Sequence, residues 1–409
     1  MNDATFLTRI RLQNYRSIAD CDVQLGPLRF LVGPNGSGKS NFVDALRLVA
    51  DSLNTTLDHA LRDRGGIQEV RRRSGGHPTH FGIGLDFKLR DGRTGQFAFR
   101  VGARSGGGYE VQREELRVTR FMGEDDFYIL ESGRVIDCSI PSPPAAAPDR
   151  LYLVNVSGLP AFRPSYESLS HMGFYNLNPD RIRDLQSPAA ADVLARDGSN
   201  LTSVLRQLET QSPETKSRIE QYLSKVVPGV ENADVKGLGP KETIEFRQRV
   251  GANPHPWRFL AASMSDGTLR ALGNLVALFQ FANGRQYLGS LVGIEEPETA
   301  LHPAAAGILR DALHDASERT QVIVTSHSPD LLDDASISEN EILAVTAEAG
   351  MTRIGPLDAA GIEAGRCSTR PPRKSTWNDS STIARGSTIT GTKAGGVDRG
   401  RATAGDVSC

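Results

Sequence analysis

A glycine-rich loop near the start of the chain has the residue types that hold phosphate. Residues 33–40 read Gly-Pro-Asn-Gly-Ser-Gly-Lys-Ser and fit the pattern G-x-x-x-x-G-K-[ST] at every fixed position. Glycines allow consecutive backbone N–H groups to curl around a β-phosphate. Lys39 would then reach the β- and γ-phosphates, and the Ser40 hydroxyl would ligate Mg²⁺. The loop predicts a nucleoside triphosphate site, and the alternative is an ordinary glycine-rich turn.

Two acidic residues end an apolar segment in the last third of the chain. Glu295 and Glu296 follow Leu-Val-Gly-Ile, and Pro297 ends the segment. Ligands of open α/β sheets collect at the carboxyl ends of the strands. We expect Glu295 to hold the Mg²⁺ shell and Glu296 to orient or deprotonate the water that attacks the γ-phosphate. Paired acids are otherwise often plain solvated residues.

A histidine follows the next apolar segment, Val-Ile-Val-Thr-Ser. His327 lies just beyond this segment, where an imidazole could contact the γ-phosphate and sense its loss. A lone histidine more often has a structural role, but its position after an apolar strand favours a functional one. Glu296, His327 and Lys39 are therefore the candidate catalytic residues.

The segment Ser-Met-Ser-Asp-Gly-Thr, residues 263–268, is typical of the start of a helix. Ser265 is a good N-cap residue, and the free N–H groups of a helix start suit an anion. Taken alone, the segment is only a helix N-terminus. If this anion site and the glycine-rich loop are distant in one copy of the chain, a second subunit is needed to join them.

The elements that must position these residues indicate an α/β fold. An apolar strand runs into the loop and residues 40–57 have helical spacing, which is the strand–loop–helix context that a phosphate loop requires. Apolar strands alternate with helices in the last third, which predicts a mixed, mostly parallel sheet flanked by helices. Residues 80–155 are typical of hairpin strands in an antiparallel β lobe, and residues 156–228 of a helical insert.

Composition argues against several classes of protein. The chain has 409 residues and a formal net charge of −2, so no overall field draws it to nucleic acid or membrane. Its four cysteines lack CxxC spacing, which argues against a zinc site and a disulfide framework. No apolar segment is long enough for a bilayer and no signal peptide is found, so we expect a cytoplasmic protein without a membrane partner. The basic run at residues 62–73 is either a nucleic-acid patch or a solvated face.

The final stretch, residues 363–409, differs from the rest in composition. It has few large apolar residues and no periodicity, and we expect it to be disordered. One interpretation is a functional basic tail. The other, which we favour, is the product of a frameshift, because off-frame GC-rich code yields Arg, Thr, Gly, Ala and Ser. Resequencing the locus decides between them.

Five motifs in order carry a resemblance to a known group of proteins. NYRS, GPNGSGKS, SMSDGT, IEEPETALHP and TSHSP together resemble the ABC-type ATPase heads of the RecF, structural-maintenance-of-chromosomes (SMC) and OLD group, and most of all the bacterial predicted AAA ATPases with an SDGT signature. The resemblance spans residues 5 to about 357. It implies a P-loop NTPase head in which two copies sandwich two ATP molecules with Mg²⁺. Ser265 and Gly267 of one head would meet the γ-phosphate held by the other, with Glu296 as catalytic glutamate and His327 as switch histidine.

The resemblance also implies the remaining site residues. Arg16 matches a family arginine near the nucleotide, and Gln68 is a candidate for the glutamine that touches Mg²⁺ and water, although a surface glutamine fits equally well. The predicted nucleotide-binding residues are Arg16, Asn35, Gly36, Ser37, Gly38, Lys39, Ser40, Asn41, Ser265 and Gly267. The predicted metal ligands are Ser40, Glu295 and Gln68. The chain departs from the group in having Glu295 in place of the commoner Asp, a Met-Ser-Asp-Gly-Thr signature, and no long coiled-coil arms.

These observations predict an ATPase head over residues 1–362, with an N-terminal lobe (1–79), the β lobe (80–155), the helical insert (156–228) and a C-terminal lobe (229–362). We expect slow ATP hydrolysis that opens a homodimer closed by ATP and drives a DNA repair, maintenance or defence transaction. DNA and a nuclease or other effector are candidate partners. The alternative is an ATP-gated scaffold or sensor, in which occupancy rather than hydrolysis signals to a partner nuclease. A transporter ATPase is disfavoured by the signature and by the insert.

Overall fold

The computed structural model describes most of the chain up to residue 356. The described residues are 6–74, 78–189, 193–251, 255–281, 291–332 and 337–356. They all belong to the first of two compact units, Met1–Ser368. The predicted disordered or frameshifted tail, residues 363–409, lies outside the described residues.

Strands and helices alternate along the described residues. The strands are β1 (Leu7–Tyr15), β2 (Ile18–Gln24), β3 (Leu28–Val32), β4 (His80–Lys88), β5 (Thr94–Ala103), β6 (Tyr109–Val118), β7 (Asp126–Glu131), β8 (Arg134–Cys138), β9 (Gly173–Tyr175), β10 (Val230–Leu238), β11 (Lys241–Gln248), β12 (Trp257–Leu260), β13 (Leu291–Glu295), β14 (Gln321–Ser326), β15 (Ile342–Glu348) and β16 (Met351–Pro356). The helices are α1 (Lys39–Asn54), α2 (Leu57–Arg62), α3 (Ile67–Val70), α4 (Tyr152–Val156), α5 (Arg163–Ser170), α6 (Pro179–Arg183), α7 (Leu201–Gln211), α8 (Pro213–Val226), α9 (Asp266–Phe279), α10 (Ala306–Ser317) and α11 (Pro329–Leu332). Among these helices, none combines the length and the apolar composition that a bilayer crossing requires.

The described strands form a thirteen-stranded and a three-stranded sheet. The order in the large sheet is β8-β7-β6-β5-β4-β1-β2-β16-β15-β3-β14-β13-β9. The strands β9, β13, β14, β3 and β15 are parallel to one another, as the alternation of strands and helices predicts. Successive strands in the series β2-β1-β4-β5-β6-β7-β8 are antiparallel, so the predicted hairpin strands are confirmed. Because β4 pairs with β1, the β lobe continues the same sheet.

Helices cover both faces of the parallel part of the sheet. Side chains of a strand alternate between faces, and in β3 Leu31 joins one buried cluster while Phe30 joins the other. The first cluster contains the apolar face of α1, including Phe42, and the second contains α9 and α10, including Leu272. Every residue of β14 is buried, as expected for a strand covered on both faces. This burial explains the continuous apolar runs in the sequence.

The predicted helical insert also contains a strand. The helices α7 and α8 form where the helical spacing predicts them, but residues 173–175 form β9 at the edge of the large sheet. After α8, the chain enters the three-stranded sheet β10-β11-β12. A three-residue edge strand is too short to give an alternating pattern. The lobe boundaries given above remain a prediction.

Candidate functional site

Three neighbouring parallel strands end at the same edge of the large sheet. β14 lies between β3 and β13, with Ser326 opposite Val32 and Thr325 opposite Glu295. The glycine-rich loop follows β3, Glu296 follows β13 and His327 follows β14. The topology therefore brings the predicted phosphate loop, the predicted acids and the predicted histidine to one place, where α/β sheets bind their ligands.

The loop between β3 and α1 has a conformation that requires glycine. Gly36 and Gly38 have φ values of 78° and 108°, in the left-handed region. A Cβ at Gly38 would lie 2.1 Å from Thr352 Oγ1, and one at Gly33 would lie 2.0 Å from the Val345 carbonyl oxygen. Substitution at either glycine would therefore push the loop away from the β15–β16 hairpin.

The loop offers donors that suit a triphosphate. The first N–H groups of a helix have no partner inside that helix, and within the described residues no backbone carbonyl accepts from the N–H of Gly38, Lys39 or Ser40. The Ser37 hydroxyl is buried and has no hydrogen-bond partner among the described residues. The loop therefore has the free donors of an anion cradle at the positive end of α1.

Lys39 contacts the carbonyls of its own loop. Its Nζ donates to the Gly33 oxygen at 2.6 Å and to the Pro34 oxygen at 3.0 Å. Burial lowers the pKa of Lys39, while the charges of Glu296 and Glu298 oppose that change. The amine thus lies near the acids and must leave its carbonyl contacts to reach a phosphate.

Glu295 completes β13 and contacts an arginine that the sequence analysis did not select. The Nη2 atom of Arg196 lies 3.1 Å from Glu295 Oε1. Arg196 is in the segment between β9 and α7, and no motif in the sequence marks it. Only the pairing of β9 with β13 places it beside this acid.

Glu296 has an unusual backbone conformation and approaches the histidine. Its φ of 46° is rare for a non-glycine residue. Its N–H donates to the Thr325 carbonyl at 2.9 Å, with Thr325 Oγ1 at 3.2 Å. Its Oε1 lies 3.4 Å from His327 Nδ1. The structure thus brings together two of the predicted catalytic residues.

A third acid, Glu298, also belongs to this edge of the sheet. Its Oε1 accepts from the Ser326 hydroxyl at 2.6 Å and from the His327 N–H at 3.4 Å. Its Oε2 is buried without a hydrogen-bond partner among the described residues. Glu298 therefore fixes the turn that carries His327. The acidic Glu-Glu-Pro-Glu run was the signal that could have identified it.

The residues present fit a magnesium ion bound together with a nucleotide. Mg²⁺ prefers oxygen ligands and is usually held by one or two carboxylates together with substrate phosphates. Ser40, in the first turn of α1, and Glu295, at the end of β13, supply such oxygens at this edge of the sheet. Within the described residues no group of three His, Cys, Asp or Glu side chains forms a complete metal site. The fit therefore depends on phosphate oxygens as further ligands.

Arg16 and Asn41 lie beside the first turns of α1. The Nη2 of Arg16 is 3.0 Å from Asp44 Oδ2, and its Nη1 donates to Asn41 Oδ1 at 3.4 Å. Asn41 Nδ2 donates to Ser17 Oγ at 2.6 Å. Tyr15, whose hydroxyl donates to Asp44 at 2.7 Å, has its pKa raised well above the usual range by burial and by that carboxylate. This network ties the Asn-Tyr-Arg-Ser turn to the phosphate-loop helix.

Gln68 and the basic run make contacts of their own. The side-chain oxygen of Gln68, on α3, accepts from Arg71 at 2.8 Å. Arg62 pairs with Asp58, Arg73 with Glu69, and the buried Arg64 with Asp44 and Asp51. These pairings neutralise much of the run, which weakens its interpretation as a nucleic-acid patch. The metal role of Gln68 remains a prediction.

The predicted signature forms the start of α9. Ser265 is its N-cap, and Ser265 Oγ accepts from the Thr268 N–H at 3.2 Å. A Cβ at Gly267 would lie 2.3 Å from the Ala300 carbonyl oxygen, so glycine is required there by the loop after β13. Arg183 of α6 donates to Asp266 and to the Met264 carbonyl. The signature is therefore held by contacts within the chain, and the role of Ser265 and Gly267 toward a second copy remains a prediction.

A phosphate loop, paired acids and a histidine at adjacent strand ends define a P-loop ATPase head of the RecF, SMC and OLD group. The chain belongs to the family described as "AAA domain, putative AbiEii toxin, Type IV TA system", whose family model matches residues 28–333.

Curated relatives match over short segments. The OLD nuclease of Thermus scotoductus is 41% identical over 51 residues, 12% of this chain and 10% of that protein. The DNA replication and repair protein RecF of Corynebacterium jeikeium is 43% identical over 63 residues, 15% of each chain. RecF of Aliivibrio fischeri is 43% identical over 44 residues, 10% of this chain and 12% of that protein. The matched segments thus span only a small fraction of these relatives.

Solved SMC head domains share the fold. One, bound to the C-winged helix domain of ScpA, has a TM-score of 0.55 at 15% identity and covers 87% of this chain and 99% of that chain. Another, from Pyrococcus furiosus, has an extended coiled coil and is bound to the C-terminal domain of ScpA. It has a TM-score of 0.54 at 13% identity and covers 88% of this chain and 98% of that chain.

Proposed function

We propose that this chain binds and slowly hydrolyses ATP with Mg²⁺, and that two copies close around two ATP molecules. The observation that supports this best is the convergence of the phosphate loop, Glu295 with Glu296, and His327 at the ends of three adjacent parallel strands. Hydrolysis would reopen the dimer and so convert ATP energy into a conformational cycle.

The side chains of the site suggest a division of labour. Lys39 would exchange its carbonyl contacts for the β- and γ-phosphates, and the N–H groups of the loop would hold the β-phosphate. Mg²⁺, held by Ser40 and Glu295, would neutralise phosphate charge. Glu296 would take a proton from the attacking water as general base. His327, next to Glu296 and fixed by Glu298, would contact the γ-phosphate.

The second copy would supply the signature. The helix α9 has fourteen residues, and its N-terminus suits an anion. Ser265 is its N-cap, and Gly267 lies in its first turn. We propose that this end of one head approaches the γ-phosphate held by the other. Arg183, which donates a hydrogen bond to Asp266, would hold the start of α9 in a fixed position as the two heads meet.

The names of the relatives suggest the biological setting. RecF is a DNA replication and repair protein, OLD is a nuclease, and the family description mentions a putative toxin of a type IV system. We propose that the cycle drives a DNA repair, maintenance or defence transaction, with DNA or an effector such as a nuclease as partner. In the alternative, a sensor, ATP occupancy alone would signal to that partner.

Changing Glu296 to Gln tests the proposal. The variant keeps the side-chain shape but removes the general base, so ATP turnover should fall by about 10²- to 10⁴-fold while ATP still binds. Sedimentation velocity at saturating ATP should show a stable dimer. Glu318→Gln, which removes an exposed carboxylate at the end of α10, is the matched control and should behave as wild type.

Two outcomes would contradict parts of this function. A Glu296→Gln chain that stays monomeric at saturating ATP would exclude the ATP-closed dimer. A variant without turnover that keeps full biological activity would favour the sensor, because occupancy would then suffice.

A further inference from the structure

The ion pair between Arg196 and Glu295 joins the helical insert to the metal side of the site. Their closest atoms are 3.1 Å apart, and the Glu295 side chain is only 17% exposed. The contacted atom, Oε1, is one of two oxygens through which Glu295 can bind a cation. A guanidinium therefore lies on the carboxylate that the proposed function assigns to Mg²⁺.

The backbone around Arg196 is anchored, so its side chain is aimed by a fixed loop. The Arg196 carbonyl accepts the Asn176 N–H at 3.0 Å, directly after β9. The next residue, Asp197, accepts the Asn178 N–H through its carbonyl at 3.1 Å. Asn200 accepts the Ala195 N–H at 2.6 Å and closes the loop at the start of α7.

The surroundings of Arg196 contain further cations. Burial lowers the pKa of Arg47, on α1, and the charges of Arg196 and Arg64 lower it further. Arg47 in turn contacts Asp44 and Asp51. The positive charge of Arg47 therefore repels Arg196, and the carboxylate of Glu295 offsets this repulsion and holds Arg196 in place.

We propose that Arg196 is a resident counter-ion of Glu295, which Mg²⁺ arriving with the nucleotide displaces. This inference rests on the proposed ATP site. Once Glu295 ligates a divalent cation, that cation repels the guanidinium of Arg196. The carboxylate therefore holds Arg196 less strongly than it does when the metal is absent. Arg196 thus competes with Mg²⁺ and acts through Glu295 as a positioning residue.

The competition predicts a change in the Mg²⁺ requirement. In the full chain, the binding of a fluorescent ATP analogue would be followed while Mg²⁺ is titrated at constant ionic strength. Arg196→Gln should lower the Mg²⁺ concentration at half-saturation by about two- to fivefold, which is the range expected for a partly exposed ion pair. Arg258→Gln is the control, because Arg258 is an exposed arginine on β12 that pairs with Glu245.

A double substitution assigns the effect to this pair. In a Glu295→Gln background, adding Arg196→Gln should leave the half-saturation concentration unchanged, because the competition is already removed. The inference would be overturned if the Mg²⁺ concentration at half-saturation stayed the same or rose in Arg196→Gln. A variant that only melted at a lower temperature, with no fall in that concentration, would overturn it equally. Failure of the proposed function would give a different result. If the wild-type chain bound no analogue at any Mg²⁺ concentration, both the proposed ATP site and the proposed role of Arg196 would be overturned.

Discussion

Glu295 and Glu296 are adjacent in the chain, yet the backbone gives them different surroundings. Glu295 ends β13 in register with Thr325, whereas Glu296 turns into the left-handed region with φ of 46°. A non-glycine residue keeps this conformation only where neighbouring groups enforce it, and such residues cluster at functional sites. Here Thr325 accepts the Glu296 N–H, and the turn brings the side chain to His327. The change of backbone conformation between these adjacent residues matches the different roles proposed for them, a metal ligand and a general base.

A buried carboxylate far along the sheet shows a different effect of surroundings. Glu114 on β6 accepts from the Tyr128 hydroxyl at 2.7 Å and from the N–H groups of Tyr152 and Leu153 at 2.6 and 2.9 Å. Burial raises its pKa from 4.5 to about 7, although these hydrogen bonds oppose the rise. Glu114 therefore joins β6 and β7 to α4 at the cost of a pH-dependent stability.

Replacing Glu114 by Gln should remove that pH dependence. Because its pKa is higher in the folded chain, the folded chain keeps a proton that the unfolded chain loses, so stability falls as pH rises from about 4.5 to 7. Between pH 5 and 8 the wild-type unfolding free energy should fall by roughly 2 to 3 kcal/mol relative to Glu114→Gln. Urea unfolding of the wild type and of Glu114→Gln across this pH range measures the two unfolding free energies. Glu115→Gln should keep the wild-type slope, and an equal slope in Glu114→Gln would contradict the assignment.

At the scale of elements, the β15–β16 hairpin supports the phosphate loop. Thr352 Oγ1 donates to the Ser37 carbonyl at 2.8 Å and lies 2.7 Å from Ser17 Oγ. Its N–H donates to the Ser17 carbonyl at 2.9 Å. One threonine of β16 therefore connects the loop to the turn between β1 and β2. The conformation of the loop depends on a hairpin more than 300 residues away in the sequence.

Thr352→Val should loosen this support without changing the shape of the side chain. Loss of one hydrogen bond to the loop is expected to weaken ATP binding by about 0.5–1.5 kcal/mol, or roughly two- to tenfold. Isothermal calorimetry with ATP and Mg²⁺ measures this change. Thr352→Ser keeps the hydroxyl and should bind ATP nearly as wild type does. Equal affinity in the valine variant would mean that packing alone holds the loop.

At the scale of the whole molecule, one copy of the head contains both surfaces that the proposed ATP site requires, the phosphate loop with its acids and the start of α9. The phosphate loop and the acids lie at the strand ends, whereas Ser265 caps α9 through contacts with its own first turn. A two-fold dimer would use both surfaces of each copy. The proposed mechanism therefore requires residues from different copies to act at one ATP.

Mixing two inactive variants tests this requirement. Lys39→Ala removes the phosphate-binding amine, and Ser265→Asp keeps a good N-cap but adds negative charge toward the γ-phosphate. Each variant alone should be inactive. An equal mixture should recover up to about a quarter of wild-type ATPase activity, since half of the dimers are mixed and each has one complete site. If Ser265 acted within its own chain, the mixture would stay inactive.

The sequence by itself determined the local motifs of the candidate site and the strands and helices next to them. The glycine-rich loop, the paired acids and the apolar strands before them are local patterns, because a phosphate cradle and a buried strand each depend on neighbouring residues. The α/β class followed from the alternation of such strands with helices, and the structure confirms it. The capping role of Ser265 is likewise a local property and is present in the structure.

Only the tertiary structure decided which distant residues meet at the site. Arg196 reaches Glu295 because the three-residue strand β9 pairs with β13, and Thr352 reaches Ser37 because β16 folds back beside β2. Glu298 fixes His327 because β13 and β14 are neighbours in register. Such contacts depend on strand order, which is set by the packing of the whole core and leaves no periodic trace in the residues that make them.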